Sequence, residues 1–130
     1  MPQDRNIDGK PVAVVVGAPS KWQSDGRNTL LAHGKRLDDS VLPVGIRWGV
    51  GGAVAQKFAR EGFFTVLTTR TAANAAGLAA AIREQGGACS IVELDLSSQD
   101  SVAAAFATIR RDAGDPDVLI YNAGYLVGRD

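Results

Sequence analysis

Three glycines could bring the backbone close to a negatively charged phosphate group. Gly17 follows an apolar run, while Gly49 and Gly51 open a helical pattern. Glycine suits this chemistry because it permits a tight turn, a close approach of the backbone to a pyrophosphate, and close packing of the next helix on a strand. The amino end of that helix also favours negative charge. The spacing therefore predicts two halves of one phosphate-binding turn with a polar insert between them.

A second glycine pattern competes with this assignment. Gly45, Gly49 and Gly51 have the spacing of a phosphate-binding turn without Gly17. Residues 12–16 form an apolar run before Gly17, whereas no comparable strand precedes Gly45. We therefore assign the first glycine of the turn to Gly17. The alternative for the later glycines is a flexible loop before a helix.

The composition indicates one ordinary domain. With 130 residues, of which 45% are hydrophobic, the chain is long enough to bury a core. Lys plus Arg and Asp plus Glu both number 14, so no field of one sign would attract nucleic acid or an anionic membrane. The apolar run of the first strand is far shorter than the roughly 20 residues of a membrane span, and residues 1–5 lack an apolar signal core. We therefore expect a cytoplasmic protein without nucleic-acid or membrane partners.

Isolated reactive residues do not indicate a second site. The single cysteine, Cys89, cannot form an internal disulfide and has no Cys or His near it in the sequence to complete a metal site. We predict that Cys89 is a small core residue on a strand. His33 and Trp22 lie in the polar insert without supporting residues, and we interpret them as loop residues.

Apolar patterns predict four strands that alternate with three helices. The strands are expected at residues 12–16, 64–68, 89–94 and 118–121. Gly62 supplies a stop for the first helix, and Ser97 or Ser98 can cap the third. This order predicts an α/β fold with a doubly wound parallel sheet and right-handed crossovers.

Residues from about 19 to 44 interrupt the phosphate-binding turn. They include seven charged residues and few large apolar ones, which predicts a loop insert. A loop longer than about 15 residues is uncommon in a compact domain, although lengthening one by this amount costs only about 1–2 kcal/mol of closure entropy. Three explanations stay open: a functional lid that carries basic residues to the phosphates, a neutral surface excursion, or translated non-coding sequence.

Outside the insert, the chain resembles the short-chain dehydrogenase/reductase family over nearly its whole length. The stretches that carry the resemblance are VVVGA at 14–18 joined to GVG at 49–51, FAREG at 58–62, LDL at 94–96, and DVLIYNAG at 117–124. The last is the most specific. Tyr121 stands where asparagine is more usual, so the resemblance does not extend to one structural hydrogen bond of the family.

The resemblance implies a Rossmann-like sheet in strand order 3-2-1-4, truncated after the fourth strand, so that residues 1–130 would be a single partial dinucleotide-binding domain. It also implies which residues lie beside a cofactor. It places Asn122, Ala123 and Gly124 next to the nucleotide after the fourth strand. It also places Asp95, with its neighbour Leu96, at the adenine ring. For Asp95 the alternative is a strand-end residue near the amino end of the next helix.

The charge that follows the second strand indicates which nicotinamide dinucleotide would bind. An acidic side chain there would accept hydrogen bonds from the ribose 2′-hydroxyl, whereas an arginine would pair with a 2′-phosphate. The chain has Thr69 and Arg70 at this place and no carboxylate directly beside them. We therefore predict NADP, with NAD less favoured. The alternative is that Arg70 is a solvated residue that opens the second helix.

The resemblance also implies hydride transfer between NAD(P)(H) and a carbonyl or alcohol substrate. In the family, the catalytic serine and a tyrosine followed four residues later by lysine lie beyond the Asn-Ala-Gly turn. Tyr125 and Arg129 have the tyrosine-to-base spacing, but they follow the fourth strand immediately, and arginine cannot share a proton as lysine does. We therefore predict no catalytic residue in this chain.

We accordingly expect the NADP-binding portion of an oxidoreductase, inactive as a truncated chain and able to bind a small-molecule substrate only in a full-length form. The alternative is a non-catalytic nucleotide-sensing or interaction subunit. Missing neighbours of the fourth strand would expose its outer edge near Leu119 and Tyr121. Since such edges pair with other chains, we also expect self-association.

Overall fold

The computed structural model describes residues 5–19, 28–30, 36–38 and 42–123. Its strands are β1 (Val12–Val16), β2 (Asn28–Leu30), β3 (Arg36–Asp38), β4 (Phe64–Thr69), β5 (Ala88–Glu93) and β6 (Val118–Tyr121). Four of them form a parallel sheet in the order β5-β4-β1-β6. If these four strands are numbered 1 to 4 in chain order, the order across the sheet is 3-2-1-4. The predicted Rossmann-like arrangement is confirmed.

The helices are α1 (Gly49–Arg60), α2 (Ala76–Glu84) and α3 (Gln99–Asp112). Ser98, one of the two candidate caps, is the N-cap of α3, and its side chain accepts a hydrogen bond from the Ser101 amide at 3.1 Å. Ser97 instead donates its hydroxyl to Asp95. The helix α1 ends two residues before Gly62, as predicted.

The central strands are apolar on both faces, and helices cover each face. Every residue of β1 and β4 is buried, which is typical of parallel strands between two helical layers. Val15 and Leu67 belong to the core shared with α1 and α2, whereas Val14 and Val66 belong to the core shared with α3. Because successive side chains of a strand point to opposite faces, one sheet contributes to two cores. The fold is therefore doubly wound.

The insert contains regular structure that the loop prediction lacks. The strands β2 and β3 pair antiparallel and form a two-stranded sheet of their own. Val44–Ile46 forms one turn of 3-10 helix just before α1. The structure therefore differs from the predicted loop at these residues, because a short antiparallel pair satisfies its own backbone amides without an apolar pattern that a sequence could show. His33 and Trp22 lie outside the described residues.

Cys89 lies buried on β5, where its thiol is 3.8 Å from the Ala79 carbonyl oxygen. Burial raises the pKa of the Cys89 thiol, and the charge of Arg83 only partly opposes this. The prediction of a core cysteine on a strand is confirmed. In the described ranges, no group of His, Cys, Asp and Glu side chains could hold a metal ion. No helix in these ranges is long and apolar enough to cross a membrane.

Candidate functional site

The carboxyl ends of the parallel strands form one edge of the sheet, and α1 begins there. The register places Val16, at the end of β1, beside Thr68 of β4 and Tyr121 of β6. From β1 the strand order runs to β4 on one side and to β6 on the other, so this edge is the switch point of the topology. In open α/β sheets, ligands bind at such a point.

Gly17 forms the turn that leaves β1. Its φ of 80° lies in the region that favours glycine. A Cβ atom on Gly17 would lie 2.8 Å from the backbone nitrogen and Cα of Ala123. The Gly17 amide donates to Thr68 Oγ1 at 3.2 Å, and the Thr68 hydroxyl donates to the Val15 carbonyl at 3.0 Å. The turn is thus held by β4 and leaves no room for a side chain beside β6.

Gly51 brings α1 against this turn. A Cβ atom on Gly51 would collide with the Ala18 carbonyl oxygen, and it would lie 2.5 Å from Gly17 O and 2.8 Å from Asn122 Nδ2. Asn122 Nδ2 donates to the Gly17 carbonyl at 3.3 Å, and the Asn122 amide donates to the Val16 carbonyl at 2.9 Å. The two halves predicted from sequence are therefore in contact. We call the cluster of Gly17, Ala18, Gly51 and Asn122 the glycine turn.

Gly45, the competing first glycine, lies outside this cluster. It belongs to the 3-10 turn Val44–Ile46 rather than to the end of a strand. It is exposed, and a Cβ atom on it would meet nothing within 4 Å. The structure therefore supports Gly17 as the glycine that follows the first strand.

The amino end of α1 has features that suit an anionic group. Trp48 stands at the N-cap and has no side-chain oxygen that could accept hydrogen bonds from the first amides of the helix. Gly49 is the first residue of α1, and the first turn contains no acidic residue. This end of the helix therefore has the partial positive charge of the helix dipole without a carboxylate in the same turn to neutralise it.

Arg70 lies farther along the same edge, directly after β4, and is exposed. The carbonyl of its neighbour Thr69, which is buried, accepts a hydrogen bond from the Leu94 amide at 2.8 Å. This bond joins the end of β4 to the residues that follow β5. Asp95 comes next, and the charge of Arg70 contributes to lowering the pKa of the Asp95 carboxyl group. The hydrogen bond between Thr69 and Leu94 therefore brings the residues that follow β4 and β5 together on this edge.

Two carboxylates, on the last residue of β5 and just after it, add to the charge argument made from the sequence. Glu93 Oε2 accepts a hydrogen bond from the Ala72 amide at 2.9 Å. Asp95 Oδ1 accepts from the hydroxyl and the amide of Ser97, at 2.6 and 3.0 Å, and these bonds are the main causes that lower the pKa of Asp95. The sequence argument considered only the chain neighbours of Arg70, so it did not include these two carboxylates.

The comparisons with known proteins agree with this geometry. The family described as short chain dehydrogenase matches residues 39–130. The chain belongs to the short-chain dehydrogenase family.

Known relatives of this chain are considerably longer. The chain is 35% identical over 140 residues to an uncharacterised oxidoreductase of Mycobacterium bovis, and this match covers 95% of the chain and 41% of the relative. It is 38% identical over 92 residues to a 3beta-hydroxysteroid dehydrogenase of Mediterraneibacter gnavus, covering 70% of this chain and 33% of the relative. A crystal structure of a metagenomic short-chain oxidoreductase in complex with NADP has a TM-score of 0.61 and 28% identity, and the match covers 88% of this chain and 39% of that one. The chain thus spans about two fifths or less of the length of these relatives.

The predicted cofactor residues fall into two groups along one edge of the sheet. The first group surrounds the glycine turn and also includes Gly49 and Ala123. The second group follows β4 and β5 and consists of Thr69, Arg70, Asp95 and the exposed Leu96. Gly124 lies outside the described residues, as do Tyr125 and Arg129.

The sequence argument missed the side chains that fix the end of the insert to α1. Gln56 is only 2% exposed, and its Nε2 donates to the Val44 carbonyl at 3.1 Å. Arg47 donates to the Leu42 carbonyl at 2.9 Å, and its guanidinium carbon lies 5.6 Å from the centroid of the Trp48 ring. Two signals were available in the sequence: a polar Gln56 on the alanine-rich face of α1, and a tryptophan directly before the helix.

Proposed function

We propose that this chain is the NADP-binding portion of an oxidoreductase that transfers a hydride between NADP(H) and a carbonyl or alcohol substrate. The observation that carries the proposal is the glycine turn, where Gly51 lies so close to Gly17 and Ala18 that no side chain fits. Backbone without side chains, beside the amino end of a helix, suits the close approach of a pyrophosphate. The residues present therefore fit the nucleotide that the family uses.

Arg70 supports NADP rather than NAD. Its exposed guanidinium can pair with a ribose 2′-phosphate through charge-assisted hydrogen bonds. The two nearby carboxylates already accept hydrogen bonds, Glu93 from the Ala72 amide and Asp95 from Ser97. These donors partly offset the repulsion that the carboxylates exert on a phosphate. A structural relative with 28% identity was crystallised with NADP, which favours the same cofactor here.

Each group of residues has a separate task in this proposal. When bound, the nicotinamide ring supplies or accepts the hydride. The glycine turn and the start of α1 hold the pyrophosphate, Arg70 holds the 2′-phosphate, and Asp95 contacts the adenine ring through the carboxylate oxygen that Ser97 leaves available. The described residues orient the nucleotide, and none of them is assigned the proton transfer to substrate.

The test is a comparison of Arg70→Ala with Arg60→Ala. Arg60 is an exposed arginine in the last turn of α1, and at roughly 1.5 Å per residue it lies about 14 Å along the helix from Gly51 of the glycine turn. A charge-assisted hydrogen bond contributes about 1.5–3 kcal/mol, so Arg70→Ala should weaken NADP binding roughly 10- to 100-fold. Binding of NAD should change little, and Arg60→Ala should leave both nucleotides unaffected.

Titration calorimetry with both nucleotides measures these affinities. Equal losses of NADP and NAD in Arg70→Ala would show that Arg70 acts on folding or on the shared pyrophosphate, and the NADP preference would be withdrawn. Failure of the parent chain to bind either nucleotide would refute the nucleotide-binding function itself.

A further inference from the structure

Trp48 fills the space between the beginnings of two helices. The residue is only 6% exposed although it stands at the N-cap of α1. A Cβ atom on Gly77, in the first turn of α2, would lie 3.3 Å from the indole Cζ2 and 3.5 Å from Nε1. A Cβ atom on Gly52, in the first turn of α1, would lie 2.5 Å from Trp48 Cβ. The tryptophan thus packs against each helix at a position that has no side chain.

These contacts make the indole a spacer between the two groups of site residues. The start of α1 belongs to the glycine turn, while α2 follows Arg70 after the short 3-10 turn Ala72–Ala75. Buried side chains are close-packed, so a displacement of the ring is transmitted to its neighbours. On the α1 side, the contact with Gly52 is made by the Trp48 Cβ atom, which leaves little freedom for the backbone there. A shift of the ring should therefore move the start of α1 relative to α2.

We propose that Trp48 is a positioning residue that sets the spacing between the glycine turn and Arg70, and thereby the affinity for nucleotides whose two phosphates reach both. This inference rests on the proposed binding of NADP. It adds a residue outside the predicted cofactor set, and it accounts for the absence of side chains at both Gly52 and Gly77.

Two adenosine phosphates separate this role from a general effect on folding. Adenosine 2′,5′-bisphosphate has one phosphate for the start of α1 and one for Arg70, whereas adenosine 2′-monophosphate has only the second. A change in spacing should weaken the bisphosphate and spare the monophosphate. A loss of folded protein would weaken both equally.

The decisive variant is Gly77→Ala. The added methyl group would stand 3.3 Å from the indole, closer than the roughly 3.5–4.0 Å of an optimal contact, so the ring must move. Alanine is also a better helix former than glycine, which offsets much of the cost of this close contact, so the variant should stay folded under the binding conditions. We expect the affinity for the bisphosphate to fall roughly three-fold or more, in the range typical of coupled contacts. The affinity for the monophosphate should stay unchanged.

Trp48→Phe is the control background for this test, because the smaller phenylalanine ring leaves space for a methyl group on Gly77. Adding Gly77→Ala to Trp48→Phe should then cause no further loss of bisphosphate affinity, so the two changes are non-additive. A Trp22→Phe background leaves Trp48 as the single tryptophan of the chain, and its fluorescence reports the displacement of the ring.

Each possible result either supports or overturns the positioning role of Trp48. Unchanged bisphosphate affinity in Gly77→Ala overturns the positioning role, whether or not the emission of Trp48 shifts. Equal losses of both adenosine phosphates, or additive losses in the double variant, overturn it as well. If the parent chain binds NADP and Gly77→Ala has no effect, only the role of Trp48 fails. If the parent binds neither NADP nor the bisphosphate, the proposed function fails with it.

Discussion

The close contact between Gly51 and the turn after β1 predicts the effect of a single added methyl group. In Gly51→Ala, the new Cβ atom would collide with the Ala18 carbonyl oxygen and stand 2.5 Å from Gly17 O and 2.8 Å from Asn122 Nδ2. Optimal contacts between heavy atoms are about 3.5–4.0 Å, so these atoms must separate by about 1 Å. Two of the three obstacles are backbone carbonyls, which cannot rotate away as a flexible side chain can. The start of α1 must therefore move away from Gly17.

Stability and binding should respond to this movement by different amounts. Overpacking costs about 1–3 kcal/mol, while the better helix propensity of alanine returns about 1 kcal/mol. The free energy of unfolding of Gly51→Ala should therefore fall by at most about 2 kcal/mol. One hydrogen bond to a charged phosphate contributes about 1.5–3 kcal/mol, so losing a single one weakens NADP about ten-fold or more.

Gly45→Ala is the matched control, since Gly45 precedes the same helix and its new Cβ atom would meet nothing within 4 Å. Its unfolding free energy should stay within about 0.5 kcal/mol of the parent, and NADP binding should not change. Thermal unfolding and calorimetric titration measure both quantities. If Gly45→Ala weakened NADP as much as Gly51→Ala, or if Gly51→Ala bound NADP normally, the assignment of the phosphate site to the glycine turn would be refuted.

Deletion of residues 20–41 should tighten NADP binding in titrations by no more than the small closure entropy it removes, since it keeps the carbonyls of Leu42 and Val44 that hold the insert to α1; weaker binding would instead support a functional lid. We expect the chain to self-associate through β6, where Leu119 is 56% exposed, and Leu119→Lys should reduce the concentration dependence of sedimentation; a parent that sediments as a monomer at all concentrations would contradict this. The pKa of Asp95 is lowered in the folded state from 3.8, so its stabilisation is present above that value and is lost as the pH falls through the lower folded value. The difference in unfolding midpoint between the parent and Asp95→Asn should therefore shrink on acidification. A difference that stays constant with pH would show that folding does not lower the pKa of Asp95.

The parallel sheet could be predicted from the sequence because its signals are local. The strand β1 is an unbroken apolar run, and in the structure all of its residues are buried. The end of α1 before Gly62 and the cap of α3 at Ser98 depend on residues within a few positions of each helix end. Given these elements, the handedness of parallel connections restricts the possible strand orders strongly.

The features that could not be predicted depend on contacts between distant residues. Glu93 lies opposite Thr69 and accepts from the Ala72 amide only because β5 pairs with β4, so a search of the chain neighbours of Arg70 could not find it. Trp48 is buried because the first turns of α1 and α2 each contain a glycine, Gly52 and Gly77, against which it packs. Neither contact leaves a pattern in the sequence near the residue concerned.

The geometry of the glycine turn also explains how a long insert can be tolerated within it. Gly17 is held by Thr68 of β4 and by Asn122 after β6, so its position does not depend on the chain that follows it. On the other side of the insert, Gln56 binds the Val44 carbonyl, and Trp48 packs between the helices. Both halves of the turn are therefore held by contacts of the described residues outside 20–41.

From this it follows that the length of the insert acts on the turn mainly through closure entropy, which grows slowly with loop length. The spacing of Gly17 and Gly51 is instead determined by the packing of α1 on the sheet. Any effect of the insert on nucleotide affinity beyond a small entropic cost must then come from direct contact with the nucleotide. The deletion of residues 20–41 distinguishes a lid from the other two explanations for this reason: only a lid loses binding contacts when it is removed.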